Sequence, residues 1–376
     1  MSQRTLTPRA ELHTHLGAAV DPVIMWTIAH RQGIKLPVKN YWDFEEMITV
    51  TPEKKNLNLD EMDKHYYHWT ELIQSSPEAI EEAVHSVIGG GYRKCNLVLQ
   101  ELRFNPMKRN RTGERDLDLI ILAALWGMRR AMLEYPQVSA GLIISLDRSF
   151  TLAQNGIIVD KAIRYQLDGI VGVDIAGPDR ATFSMKAHAP LILRAKKAGL
   201  GITIHAGETG NMKELEYVVR RLRPHRIGHG LIAANDKKLL EEIAKQKIIL
   251  EICPTSNLCN SILKGVDELR VIIRTFVESG VRFTINTDGP EMYRTSVLKE
   301  EEFLLAHDIM SEKELEQCMR WAFKGTFIRP RSNGNAQESK ALQKYMVRRG
   351  STLLGESGTA ERQWRVTLAV DAVVEF

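Results

Sequence analysis

The chain has 376 residues, 51 basic and 47 acidic, for a formal charge of +4, and 44% of its residues are hydrophobic. That balance suits one large soluble domain or two moderate ones, and it excludes a partner recognised by bulk charge: no basic stripe or tail marks a nucleic-acid binder. The four cysteines form no CxxC pair and do not read as a disulfide framework, and the longest apolar span, 119–128, is too short to cross a bilayer. With no apolar run near the start, the expected setting is reducing and cytoplasmic, without a membrane partner.

Short β-prone runs recur along the chain. They are AELHTHL at 10–16, NLVLQELRF at 96–104, VSAGLIISLD at 138–147 and GIVGVDIAG at 169–177, then GITIHAG at 201–207, HRIGHG at 225–230, IILEICP at 248–254 and RFTINTDG at 282–289. Between most of them, segments such as 77–94, 185–199, 212–222, 236–246 and 266–280 place apolar residues three or four apart and end on a glycine or a basic turn. Strand and helix in alternation imply parallel strands with helices outside, and eight strands fit a closed (β/α)8 TIM barrel of α/β class. An open doubly wound sheet is the runner-up. The barrel is favoured because polar residues close several different strands, and only a barrel gathers those ends around one mouth.

The stretch 17–75 is long for one connection and is expected to supply extra helices over the C-terminal face, with the aromatics of 66–69 packing them. KRNRTGER at 108–115 reads as a solvated loop. The barrel is expected over 1–330. Residues 331–376 read as a C-terminal extension, peripheral or partly disordered. Oligomeric state stays open.

His13 and His15 stand two apart at a strand end, so period-two geometry turns both side chains to one side. An isolated HxH pair is weak, because short motifs often arise by accident. Other strand ends strengthen it: His205 closes the fifth strand, His229 the sixth and Asp288 the eighth. Imidazoles plus a carboxylate suit zinc, and His13, His15, His205 and Asp288 are expected to hold one ion per chain. Each has a blander reading, His205 as a core histidine and Asp288 as a turn residue, but buried ionisable groups need partners and all must then be explained separately. His225 precedes its strand and is expected at the stability end or exposed. Glu208 follows His205 by three residues and can reach inward without binding metal; burial would raise its pKa and let it hold a proton for delivery.

ELHTHL (11–16), ELRFNP (101–106), GVDIAGPD (172–179), HAGE (205–208), RIGHG (226–230), CPTSN (253–257) and NTDGP (286–290), in this order, resemble the adenosine deaminase family of amidohydrolases. The resemblance implies a zinc-bearing barrel that removes the 6-amino group of a purine nucleoside or nucleotide as ammonia, with a purine-like small molecule as its partner. It implies roles as well. Glu208 would protonate the ring nitrogen beside the attacked carbon, and His229 would position the attacking water and help take its proton. Asp288 would bind zinc and orient the same water, and Gly177 would offer its N–H to a ring nitrogen. His15 and Gly289 are expected at the substrate too. CPTSN is read as packing: Cys253 at a strand end, with Ser256 and Asn257 shaping a loop.

Two positions depart from the family pattern. HLDG reads His15-Leu16-Gly17-Ala18 here, so the acid that meets the sugar side is Gly17. DDP reads Asp288-Gly289-Pro290, so the acid that meets the imidazole-side nitrogen is Gly289. A metal-dependent hydrolase acting on another aminated heterocycle, a modified purine, a nucleotide, an amide or a phosphoester is the first alternative, and a non-catalytic barrel the second.

Overall fold

Strands buried on both faces alternate differently from half-exposed ones: here one face of each packs on helices and the other fills a closed interior. The computed structural model describes residues 7–50, 58–110 and 116–328. The first strand, β1 (Arg9–His15), is followed by α1 (Pro22–Arg31), α2 (Tyr41–Ile48), α3 (Leu59–Met62) and α4 (His68–Ile73), with a π-helical turn over Asp63–Tyr67 between the last two. Then come α5 (Pro77–Cys95), β2 (Leu97–Phe104), α6 (Leu117–Glu134), β3 (Ser139–Asp147), α7 (Leu152–Arg164) and β4 (Ile170–Ala176). The chain continues through α8 (Met185–Lys197), β5 (Gly201–Ala206), α9 (Met212–Tyr217), β6 (Arg226–His229), α10 (Lys237–Gln246) and β7 (Ile249–Ile252). It ends its described part with α11 (Pro254–Cys259), α12 (Val266–Glu278), β8 (Arg282–Ile285), α13 (Val297–Ala306) and α14 (Glu312–Gly325).

The strands lie in the order β1 to β8, and every neighbouring pair is parallel. The (β/α)8 barrel expected from the sequence is therefore the fold, and the open sheet is not. The seam between β8 and β1 is thin. One bridge pairs Thr14 with Asp288, where His15 N–H donates to the Asp288 carbonyl at 2.8 Å and Asp288 N–H to the His13 carbonyl at 2.9 Å. Glu11 reinforces it by accepting from Thr287 N–H at 3.0 Å and Thr287 Oγ1 at 2.7 Å. β8 ends at Ile285, four residues short of the expected 289; beyond it Asp288 takes left-handed backbone at φ 64° and pairs only with β1.

Many of the helices start where the chain supplies a side-chain acceptor. Ser76 caps α5 ahead of Pro77, and Asn96 in left-handed backbone ends it. Asp236 caps α10 through two backbone N–H groups. Alternate residues of the strands point outward into the main apolar core, as do Leu102 and Phe104 on β2, and Ile202 and Ile204 on β5. Their neighbours Glu101, Arg103 and Thr203 point the other way and are fully buried.

The extra helices expected in 17–75 are present as α1 to α4. They join the β8 side through a small apolar cluster of Ala18, Val50, Met62, Tyr66, Met292 and Tyr293. Among the described residues no helix is long and apolar enough to cross a membrane. The expected C-terminal extension lies outside the described residues.

Candidate active site

Strand ends carry the site, and backbone strain aims two of its residues. His229 at φ 61° and Asp288 at φ 64° occupy left-handed backbone, a costly conformation for a residue with a side chain, and one that concentrates at functional sites. His13, buried completely, sits at the centre. Its ring lies 4.7 Å from His205, 4.9 Å from His229 and 5.3 Å from His15, centroid to centroid. His15 Nε2 is 3.1 Å from His205 Nε2 and 3.3 Å from Asp288 Oδ1, and His13 Nε2 is 3.7 Å from that same oxygen. The structure thus brings together all four residues expected to hold metal, with His229 beside them as a fourth imidazole.

The donor chemistry fits a divalent cation. His13 Nδ1 bonds to Glu251 Oε2 at 2.6 Å, while its Nε2 is buried without any hydrogen-bond partner. A buried nitrogen lone pair with nothing to accept from is unfavourable unless something electrophilic fills the centre. His205 Nδ1 is held in the same way by Asp174 at 3.0 Å. One guanidinium clamps both carboxylates: Arg103 lies 3.1 Å from Asp174 and 2.9 Å from Glu251. Arg103 and His205 hold Asp174 down at about 2 against the opposing effect of burial, and Arg103 and Arg226 do the same for Glu251, also to about 2. Burial pushes His13 and His15 well below the usual imidazole range, which keeps them neutral and able to ligate.

These three supporting charges, Arg103, Asp174 and Glu251, were not singled out from the sequence. A signal existed. Asp174 and Glu251 are each the lone charge in an otherwise apolar strand, IVGVDIA and ILEI, and Arg103 sits in LVLQELRF, a strand that is buried throughout.

Glu208 lies just past β5, after Gly207 at φ 70°. Burial raises its pKa to about 7, and its Oε1 is 3.6 Å from His229 Nε2. A cleft of about 800 Å³ opens over these groups, lined by His15, His205, Glu208, His229 and Asp288 and bounded by Gly177. Gly177 adopts φ 98°, a conformation that a side chain would strain.

Several sequence expectations need correction. CPTSN does not shape a loop: it forms the start of α11, from which Ser256 Oγ donates to Asp288 Oδ2 at 2.5 Å and Asn257 Nδ2 meets His229 Nδ1 at 3.0 Å. Cys253 packs at the end of β7 as expected, fully buried. Arg109 is buried and Lys108 is only partly exposed, not free in solvent. The cap folds over them, Arg109 is 1% exposed and 2.9 Å from Glu71, and Lys108 sits 2.8 Å from Asp147 and 3.2 Å from Asp63. Residues 111–115 of that run lie outside the described residues. Of the aromatics, Tyr66 packs as expected but Tyr67 lines the cleft, edge-on to His15 at 6.2 Å. Gly17 also lines the cleft, and a Cβ there would lie 3.1 Å from the Tyr67 ring and 3.3 Å from Arg109 Nη2. Gly289 is not among the residues that line the cleft; it is walled by Ala18 and Tyr293. His225 is exposed at the opposite end of β6, as expected.

Comparison with known proteins gives one family. A family model described as adenosine deaminase matches residues 8–340. The adenosine deaminase of Clostridium kluyveri is 27% identical over 331 residues, 86% of this chain and 90% of that one. A zinc-bound amidohydrolase from Burkholderia ambifaria superposes with a TM-score of 0.77 at 20% identity, covering 93% of this chain and 92% of that one. The N6-mAMP deaminase of Arabidopsis superposes with a TM-score of 0.76 at 22% identity, covering 92% of this chain and 99% of that one. At these identities the two structures share the fold.

Proposed function

The chain belongs to the adenosine deaminase family and is a purine deaminase, and from that premise we propose zinc-dependent hydrolytic removal of the 6-amino group of a purine nucleoside or a close relative, releasing ammonia. The carrying observation is the pairing of a buried carboxyl that burial keeps protonated to about pH 7, Glu208, with an adjacent cluster of inward-facing metal donors. His13, His15, His205 and Asp288 would hold one zinc ion. When bound, the ion supplies the Lewis acidity that makes a water nucleophilic near neutral pH.

The chain's own groups do the rest. Asp174 and Glu251 keep a proton on Nδ1 of His205 and His13, so each Nε2 lone pair faces the centre. Glu208 delivers its proton to the ring nitrogen next to the attacked carbon, which withdraws electrons from that carbon as the water oxygen bonds to it. His229, fixed by Asn257, and Asp288, fixed by Ser256, orient that water and take its proton. Return of a proton to the exocyclic nitrogen breaks the carbon–nitrogen bond and ammonia leaves. Gly177 lets a flat ring approach the backbone and offers its N–H.

Gly17 removes an acid from the sugar end and leaves Tyr67 and Arg109 facing the gap. We therefore rank adenosine below a purine whose substituent offers hydrogen-bond acceptors to a guanidinium, a nucleotide included. The test is ammonia release across bases, nucleosides, nucleotides and N6-modified purines, with Glu208→Gln as control. The variant is expected to retain zinc and lose at least a hundredfold in kcat. Unchanged turnover would remove Glu208 from the proton-donor role, and adenosine giving the highest kcat/KM would overturn the ranking.

A further inference from the structure

Resting on that reading, we propose that Tyr293, held by Asn260, determines specificity at the second edge of the substrate ring by donating its phenolic hydrogen to the five-membered ring's nitrogen. In a 6-aminopurine the attacked carbon has two ring neighbours. One is the nitrogen that receives a proton; the other is the fusion carbon that leads to the five-membered ring and its bare acceptor nitrogen. Glu208 follows β5, whereas Asp288 follows β8 and bridges to β1. With strands ordered β1 to β8 around a barrel, β5 lies across the mouth from β1. A ring that turns its protonated edge to Glu208 turns its other edge to the β8–β1 wall.

That wall has no room for a side chain after Asp288. A Cβ on Gly289 would lie 2.5 Å from the Ala18 methyl and 3.2 Å from the Tyr293 ring. Ala18 is 3% exposed and belongs to the short 3-10 turn Leu16–Ala18, so its methyl cannot swing aside as a long side chain would. The Ala18 methyl is what bars a side chain at 289; the Tyr293 ring would only have to give by a few tenths of an ångström.

What the cleft does receive from this wall is Tyr293 and Asn260. Asn260 Nδ2 donates to the Tyr293 hydroxyl oxygen at 2.9 Å, and the reverse contact, Tyr293 hydroxyl to Asn260 Oδ1, is longer at 3.2 Å. One phenol facing both atoms of a single amide cannot align well with both. The shorter bond uses the phenol oxygen as acceptor; its hydrogen, which faces Asn260 Oδ1 and the Ser256 hydroxyl, would exchange those partners for a ring nitrogen in the cleft. A phenol is a donor at neutral pH, which is what an unprotonated ring nitrogen requires.

The experiment compares a 6-aminopurine nucleoside that the protein turns over with its 7-deaza counterpart, in which CH replaces that nitrogen, in the zinc-loaded protein. The quantity read is the ratio of kcat/KM between the two. Tyr293→Phe is expected to shrink this ratio about tenfold by slowing the nitrogen-bearing substrate more than the 7-deaza compound, with zinc content retained and any fall in Tm, from the Asn260 amide left without its acceptor, read separately. Asn260→Asp keeps the phenol but offers a carboxylate that captures its hydrogen, and the same shrinkage is expected. A ratio that moves less than about twofold in either folded variant overturns the proposal while leaving the deaminase reading intact. Absence of ammonia from every 6-aminopurine with the wild-type protein would instead take down the reading on which it rests.

Discussion

At the scale of single residues, the site shows how one buried cation organises two histidines that are candidate metal donors. Arg103 has no solvent exposure, and its partners Asp174 and Glu251 each fix the outer nitrogen of a different histidine. Removing charge from one carboxylate leaves the hydrogen bond possible but makes the imidazole a weaker donor to metal. Asp174→Asn is therefore expected to lower zinc affinity about 10- to 100-fold, read by competition with a chromophoric chelator; equal affinity would show that the pair only packs. The candidate metal donors were legible in the sequence because each lies near or just past the mouth end of a strand, and period-two geometry gives the direction of His13 and His15. Their supports were not, because a charge in a strand interior acquires a role only when a strand several positions round the barrel brings its counter-charge.

At the scale of elements, α11 is the piece that local patterning misread. Its six residues are too few for helical periodicity to show, and its start is set by Pro254 rather than by a side-chain cap. A distant helix completes it: Glu300 on α13 is fully buried, accepts from Thr255 N–H at 3.1 Å, and is bonded by Thr295 Oγ1 at 2.6 Å. Burial raises its pKa from 4.5 to about 7. A carboxyl whose folded pKa is raised contributes its full stability below the unfolded value and loses it as pH rises through about 7. Glu300→Gln abolishes that loss. The variant should gain stability over wild type between pH 5 and pH 8, by at most about 3 kcal/mol, in denaturant titrations at the two pH values. A constant difference between them would mean that the carboxyl is already ionised in the folded state. The cap belongs to this scale too. Glu71 of α4 and Asp63 of the π-helical turn hold Arg109 and Lys108, so a run that reads as surface becomes part of the cleft wall.

At the scale of the whole molecule, the weak place in the barrel is also where metal would bind. β8 and β1 share a single bridge, and the expected ligands His13, His15 and Asp288 straddle it. An ion held there stabilises the folded state by mass action and ties the seam. Chelation is expected to lower Tm by several degrees, the equivalent of about 2–3 kcal/mol for zinc at a hundredfold over Kd, and to speed hydrogen exchange at residues 12–15 and 286–288 ahead of the other strands. Loss of Tm with uniform exchange would place the metal's effect elsewhere than the seam.

The sequence by itself determined the barrel, the position of its strands to within a few residues, the residues that converge at its mouth, and the family. These follow from local rules: alternation tells a strand which way its side chains face, and a strand's last residue faces the mouth of any parallel barrel. Only the tertiary structure decided what surrounds them. It buried Arg109 and partly covered Lys108, gave Ser256 and Asn257 partners in Asp288 and His229, put Tyr67 over the gap at Gly17, and closed the space at Gly289 with Ala18. Those outcomes depend on distances between segments far apart in the chain, and no pattern of neighbours carries that information.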